Sequence, residues 1–286
     1  MEVKEILGND PAFRGRLGLV KPPVKKLWYR GDLKEEYFAK TIAVVGSRRM
    51  SRYGRSVIEE IVPRLCGAGY TIVSGLMYGV DQLAHKNTLG CGGTAVGVLG
   101  WGIERANDPE SDRLTDEMVA HSGIVLSEYH SDSRGQLWTF PQRNRIVVGL
   151  SDIIIVIEAG IKSGTMSTVQ WAKKMGKPVY AVPGSIFART SEGANFMIES
   201  GLARPLNTQV IENICGSNMD IKSNSTVSNL NPEEEEMVGY LAVVGPCSVN
   251  EVARGMNLGV GEVLPLLAKL ELKGVVAEER GIFAIV

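Results

Sequence analysis

Between about residues 40 and 215, short apolar runs alternate with stretches of helical patterning. The runs cover 41–46, 70–75, 94–100, 124–128, 152–158 and 178–183; they are rich in Val and Ile and almost unbroken by polar residues. Strands covered on both faces read this way, whereas strands with one wet face alternate. Helices are predicted between them at 53–67, 79–90, 115–122, 141–150, 164–176 and 191–201. Strand–helix alternation predicts an α/β fold, a doubly wound and mostly parallel sheet in a domain spanning 41–215. Ligands of such sheets bind at the carboxyl ends of the strands.

The pattern changes outside that span. Residues 1–40, with Pro22-Pro23 and Trp28-Tyr29-Arg30-Gly31, read as a packed N-terminal extension with little independent structure. Residues 216–231, rich in Ser and Asn, read as a linker. Beyond it, helical patterns at 233–243, 249–256 and 260–273 precede two short strands around Arg280-Gly281. Three helices and a hairpin predict a small winged-helix-like domain over 232–286.

Composition narrows the function. Hydrophobic residues make up 44% and charged residues 22%, ordinary for a soluble globular chain. No apolar run approaches the roughly 20 residues of a membrane span, and no signal pattern opens the chain, so a cytoplasmic protein with no membrane partner is expected. Four scattered cysteines without CxxC spacing point to free thiols, and three scattered histidines argue against a metal site. No cofactor is expected. The net charge of −1 excludes a generic polycation, yet residues 229–286 hold four Lys/Arg against nine Asp/Glu, leaving 27 against 23 in the rest.

The chemistry gathers where predicted strands end. Gly46-Ser47-Arg48 follows the first, Ser74-Gly75 the second, Gly100 the third and Glu158 to Thr165 the fifth. Small residues there admit a ligand close to the backbone. VVGSRRMSRYG (44–54) lacks the GxGxxG spacing, and no acidic residue ends the second strand to hold a ribose. Arg48 is expected on phosphate. Asp81 and His85, spaced i, i+4, read either as acid–base machinery or as a buried brace, the brace being favoured because no nucleophile is marked. Phe140 beside Gln142-Arg143-Asn144-Arg145 combines an aromatic with cations, the means by which single strands are held without base readout. One of these arginines is expected on the ligand, the other in a structural pair with Glu158. Ser163, Gly164 and Thr165 open a helix, whose first amides suit anions.

Taken in order, VGSR-x4-YG, SGL-x2-GVD-x2-AH, SEY, FPQRNRIVVGLSD, IVIEA-x3-SGT and AVPG-x8-GAN closely resemble the DNA-processing protein A family (DprA, also called Smf) over about residues 40–205. The resemblance implies an extended Rossmann-like domain that binds single-stranded DNA and forms a homodimer. It also implies protection of incoming strands in natural transformation and loading of the RecA recombinase. By matching motifs it assigns the DNA pocket to Arg48, Phe140, Arg143 and Arg145. Gly46, Ser47, Ser74, Gly75, Ser163, Gly164 and Thr165 follow as loop donors. Two stretches depart from the family: WGIERANDPESD after Gly100, where members show Tyr-Pro-x-x-Asn, and HSDSRGQLWT, which lacks a proline-rich pattern.

A competing enzyme reading is a nucleoside-monophosphate hydrolase similar to the lysine-decarboxylase-like phosphoribohydrolases. Their PGGxGTxxE loop uses its glutamate for chemistry, and Thr168 occupies that place in EAGIKSGTMST. A non-enzymatic role is therefore expected. The acidic tail is expected to meet protein, or to act within the chain, rather than bind duplex DNA.

Overall fold

The computed structural model describes residues 2–106, 108–121, 123–216, 230–279 and 281–285. The chain divides into two compact units, Met1–Ser217 and Asn218–Val286. The expected linker lies, at 217–229, outside the described residues, as does Arg280 of the expected hairpin turn.

The first unit is built on nine strands: β1 (Lys4–Leu7), β2 (Lys26–Gly31), β3 (Thr41–Val45), β4 (Thr71–Ser74), β5 (Ala95–Leu99), β6 (Ile124–Ser127), β7 (Ile153–Val156), β8 (Val179–Ala181) and β9 (Arg204–Pro205). They lie in the order β1-β2-β6-β5-β4-β3-β7-β8-β9. From β6 to β9 every pairing is parallel, while β1 and β2 join antiparallel at one edge. The connecting helices are α1 (Arg52–Gly67), α2 (Val80–Gly90), α3 (Pro109–Ala120), α4 (Thr139–Leu150), α5 (Thr165–Lys174) and α6 (Glu192–Glu199), with α7 (Thr208–Cys215) closing the unit.

Alternation inside the buried runs explains two covered faces, because successive strand side chains point opposite ways. Ala43 and Val45 of β3 pack with Val147 of α4 and Val169 of α5, whereas Ile42 and Val44 pack with Ile58 of α1 and Val80 of α2. This is the doubly wound, Rossmann-like sheet that the alternation predicts. The order reverses between β3 and β7, whose carboxyl ends therefore part to leave a crevice.

Residues 1–40 do more than pad the surface. They supply β1, β2 and three short 3-10 turns, and they bury Phe13, Leu17, Leu27 and Phe38 in the α4 side of the core. Arg16 fastens this segment: its Nη1 and Nη2 donate to the Asp152 carboxylate at 2.5 and 2.9 Å, and its Nε donates to the Phe38 carbonyl at 2.5 Å. α3 begins at Pro109, before the predicted 115, since the Asp108 carboxylate accepts from the Ser111 amide at 3.0 Å and proline suits a first helical position.

The second unit has α8 (Pro232–Val244), α9 (Val249–Met256) and α10 (Val260–Leu272). Its three-stranded antiparallel sheet comprises β10 (Cys247–Ser248), β11 (Val276–Glu279) and β12 (Ile282–Ile285) in the order β10-β12-β11. Met237, Val252, Leu267 and Phe283 share its separate core. A reciprocal cap starts α8: Asn231 Oδ1 accepts from the Glu234 amide at 2.9 Å, and Glu234 Oε2 accepts from the Asn231 amide at 2.8 Å. The four cysteines are free thiols. Among the described residues no helix is long and apolar enough to cross a membrane, and no cluster of His, Cys, Asp or Glu could hold a metal.

Candidate nucleic-acid interface

A cleft of about 590 Å³ opens at the carboxyl ends of β3 and β7, where the strand order reverses. One wall is the loop after β3. Gly46 is required there, because a Cβ would stand 2.8 Å from Val80 Cγ2 and 2.9 Å from the Glu158 carbonyl oxygen. The loop is then held from both sides. The Val80 amide at the start of α2 donates to the Ser47 carbonyl at 3.2 Å. The buried Glu158 carboxylate accepts from the Ser51 amide at 2.8 Å and its hydroxyl at 2.5 Å, at the start of α1. Between these anchors Arg48 and Arg49 are exposed, and neither forms an ion pair among the described residues.

The opposite wall is α4. Thr139 Oγ1 donates to the Gly100 carbonyl at 2.6 Å, fixing the helix start to the end of β5. A side chain at position 100 would meet the Phe140 ring, with Cδ1 at 2.7 Å from its Cβ, so glycine there leaves space for the aromatic. Phe140 is half-buried, and the Arg48 guanidinium sits over its ring at 5.4 Å from the centroid. Such cation–π contact orients the arginine while leaving it at the mouth. Asn144 Nδ2 donates to Ser167 Oγ at 2.9 Å and ties α4 to α5.

The floor holds a charge that cannot move. Arg143 is only 2% exposed; its Nη1 donates to the Gly75 carbonyl at 2.6 Å and also to the Val98 carbonyl. Asp81 faces it across Gly75, where a Cβ would lie 2.6 Å from both Arg143 Nη2 and Asp81 Oδ2. Burial raises the Asp81 carboxyl and lowers the Arg143 guanidinium, each partly countered by the other's charge. Asp81 thus meets Arg143 rather than His85, which is fully buried in the interior. The third side is the 158–165 loop. There Gly164 precedes α5 without a side-chain cap, and the buried Ser163 Oγ has no hydrogen-bond partner. Among the described residues lining the cleft, Arg48, Arg49, Arg143 and Lys162 stand against one carboxylate, Asp81.

The cleft brings together Gly46, Ser47, Arg48, Gly75, Phe140, Arg143, Asn144, Ser163, Gly164 and Thr165. It does not bring in Ser74, Gln142 or Arg145. Ser74 is buried below, its hydroxyl donating to the Val44 carbonyl at 2.7 Å. Gln142 is half-buried on α4 outside the lining. Arg145 is 1% exposed and its Nη2 donates to both Glu128 carboxylate oxygens at 2.7 and 2.9 Å. A structural arginine was expected in this motif, but its partner is Glu128; Glu158 instead caps α1. The helix explains the split, since residues two apart face opposite ways and Arg143 and Arg145 cannot share a wall. Lys162 and Thr168 line the cleft beyond the expected set. The lone lysine in EAGIKSGT was the available signal for the former, and Thr168 stands where the hydrolase glutamate would be.

Comparison with known proteins agrees with this geometry. The family model of DNA recombination-mediator protein A matches residues 4–216. DNA processing protein DprA of Bacillus subtilis is 35% identical over 63% of this chain and 60% of its own length. Protein Smf of Escherichia coli is 33% identical over 84% of this chain and 66% of its own. The chain therefore spans about three-fifths to two-thirds of these relatives. Among solved structures, DprA from Streptococcus pneumoniae superposes with a TM-score of 0.68 at 32% identity, covering 74% of each chain. DNA processing protein A from Helicobacter pylori, described for its single-stranded DNA binding mode, gives 0.66 at 28% identity, covering 76% of this chain and 95% of its own. With a family model over most of its length and relatives at this identity, the chain belongs to the DNA recombination-mediator protein A family, the DprA/Smf proteins.

Proposed function

We propose that this protein holds single-stranded DNA in the β3–β7 cleft and performs no chemistry on it. One observation carries the reading: the cleft gathers Arg48, Arg49 and Lys162, none in an ion pair among the described residues, and Arg48 lies over the half-buried Phe140 ring at the mouth. Phosphates are neutralised by such arginines while bases stack on such rings, a combination that ignores sequence. The single-stranded DNA binding mode described for the Helicobacter pylori relative supports the same assignment. The hydrolase reading lacks its glutamate, since a threonine hydroxyl at position 168 is no general base at neutral pH. The family resemblance extends the proposal to a cytoplasmic homodimer that protects incoming strands and loads RecA in transformation and recombination.

Fluorescence anisotropy with single-stranded oligonucleotides, duplex and free nucleotides, run across a salt series, tests the first part. Single strands should bind best, with affinity falling as salt rises because phosphate contacts release counterions. Arg48→Ala should weaken binding by about 10- to 100-fold, the range for one charge-assisted contact, and unchanged affinity would sink the assignment. Sedimentation and a RecA filament-nucleation assay test the homodimer and the loading step.

A further inference from the structure

The loop between β8 and α6 carries AVPGSIFARTSEGAN, and the cleft leaves this motif unused. At its tip Ile186 is 78% and Phe187 91% exposed. The tip is nevertheless braced. Asn195 grips Gly184 from both sides: its Nδ2 donates to the Gly184 carbonyl at 3.0 Å, and its Oδ1 accepts from the Gly184 amide at 3.2 Å. Two turns follow, with the Ala188 amide donating to Ser185 at 3.1 Å and the Ser191 amide to Ala188 at 2.9 Å. A loop fixed this firmly, holding an aromatic in water, is preorganised for a contact that the unit does not supply itself.

Its neighbours indicate the occupant. Tyr53 is half-exposed at the start of α1, and its hydroxyl donates to the Pro183 carbonyl at 3.1 Å. The loop also rests on the cleft's third side: the Gly193 amide donates to the Ala159 carbonyl at 2.7 Å, and the backbone carbonyl of Arg189 lies near Gly160. The loop that carries Phe187 therefore adjoins the cleft's third side. Arg52, Lys162 and Arg189 are exposed around this edge, and none forms an ion pair among the described residues. A flat aromatic amid unpaired cations, next to a cleft with the same composition, complements more of the same polyanion.

We propose that Phe187 is a second stacking station for single-stranded DNA: the strand leaves the cleft over Gly160–Lys162 and lays a base on Phe187, with Arg52 and Arg189 on flanking phosphates. This rests on the cleft binding single strands, and the test separates the two. Anisotropy would compare oligothymidylates of about 5 and about 16 nucleotides, near the limits of known single-strand site sizes, on the full chain. Phe187→Ala should leave the short oligonucleotide unaffected and weaken the long one by about 5- to 100-fold, the cost of one lost stack. Phe187→Trp should restore it, and ultraviolet cross-linking of the long oligonucleotide should label Phe187. An unlabelled Phe187 with Phe187→Ala at wild-type affinity for the long oligonucleotide overturns the proposal. So does a variant that loses self-association in sedimentation while keeping that affinity, because the tip would then contact a second copy. If Arg48→Ala weakens neither oligonucleotide, the cleft reading itself fails.

Discussion

Glu128→Ala tests whether Arg145 is structural. Arg145 is 1% exposed and donates from one nitrogen to both Glu128 oxygens, while its Nε and Nη1 have no partner. Glu128 is thus the counter-charge of a guanidinium that water does not reach. Removing it forfeits two charge-assisted hydrogen bonds and leaves a cation buried, a loss of about 3–5 kcal/mol. Against a total stability of about 5–15 kcal/mol this is severe. Arg145→Met should cost less, since an apolar chain of similar length needs no counter-charge. Adding it to Glu128→Ala should recover much of the loss, giving a strongly non-additive cycle. All four tryptophans lie in the first unit, so their fluorescence in a urea titration follows that unit alone. A double variant no more stable than Glu128→Ala would refute the reasoning, as would a loss of single-strand affinity in folded Arg145→Met.

Two further predictions concern the same sheet. Burial pushes the His85 imidazole down to about 3, below its unfolded value of about 6.5, so the unfolded chain binds more protons between those limits. Stability from this group is complete above about pH 6.5 and lost as pH falls toward 3, by up to about 1.4 kcal/mol per unit. The raised Asp81 carboxyl acts oppositely between its unfolded value near 4 and about 6, offsetting part of the loss. Urea midpoints from pH 7 to 5 should fall less steeply in His85→Leu than in the parent; equal slopes would exclude His85 as the cause. Gly46→Ala should destabilise by about 1–3 kcal/mol through its contacts with Val80 and Glu158 and should displace Arg48, lowering DNA affinity. Gly164→Ala, with nothing within 4 Å of the added Cβ, should change stability by less than about 0.5 kcal/mol. Equal urea midpoints for the two variants would contradict the packing argument.

The doubly wound sheet was legible because buried parallel strands must be apolar throughout, and β3 to β8 begin and end within two residues of their predicted limits. β1 and β2 were not, since KEIL and KLWYRG are short and interrupted by charge, β1 pairing only with β2 and β2 reaching β6 about a hundred residues on. The glycine-rich turns marked where the cleft opens, but spacing in FPQRNR could not tell which arginine faces it. That depends on the helix's rotation about its axis, which Thr139 and Asn144 set through partners on β5 and α5. Arg145's partner was invisible for the same reason, Glu128 lying at the end of β6.

Arg143 has one more consequence. Its hydrogen bonds run to carbonyls beyond β4 and within β5, so the positive charge of the floor is fixed before any ligand arrives. If the cleft holds single strands, as proposed, a strand meets a floor whose guanidinium is already placed rather than a side chain that must first be ordered. On the proposed reading the exposed Arg48 supplies the adjustable grip on a phosphate, while the buried Arg143, with Asp81 facing it, keeps the shape of the floor from one ligand to the next.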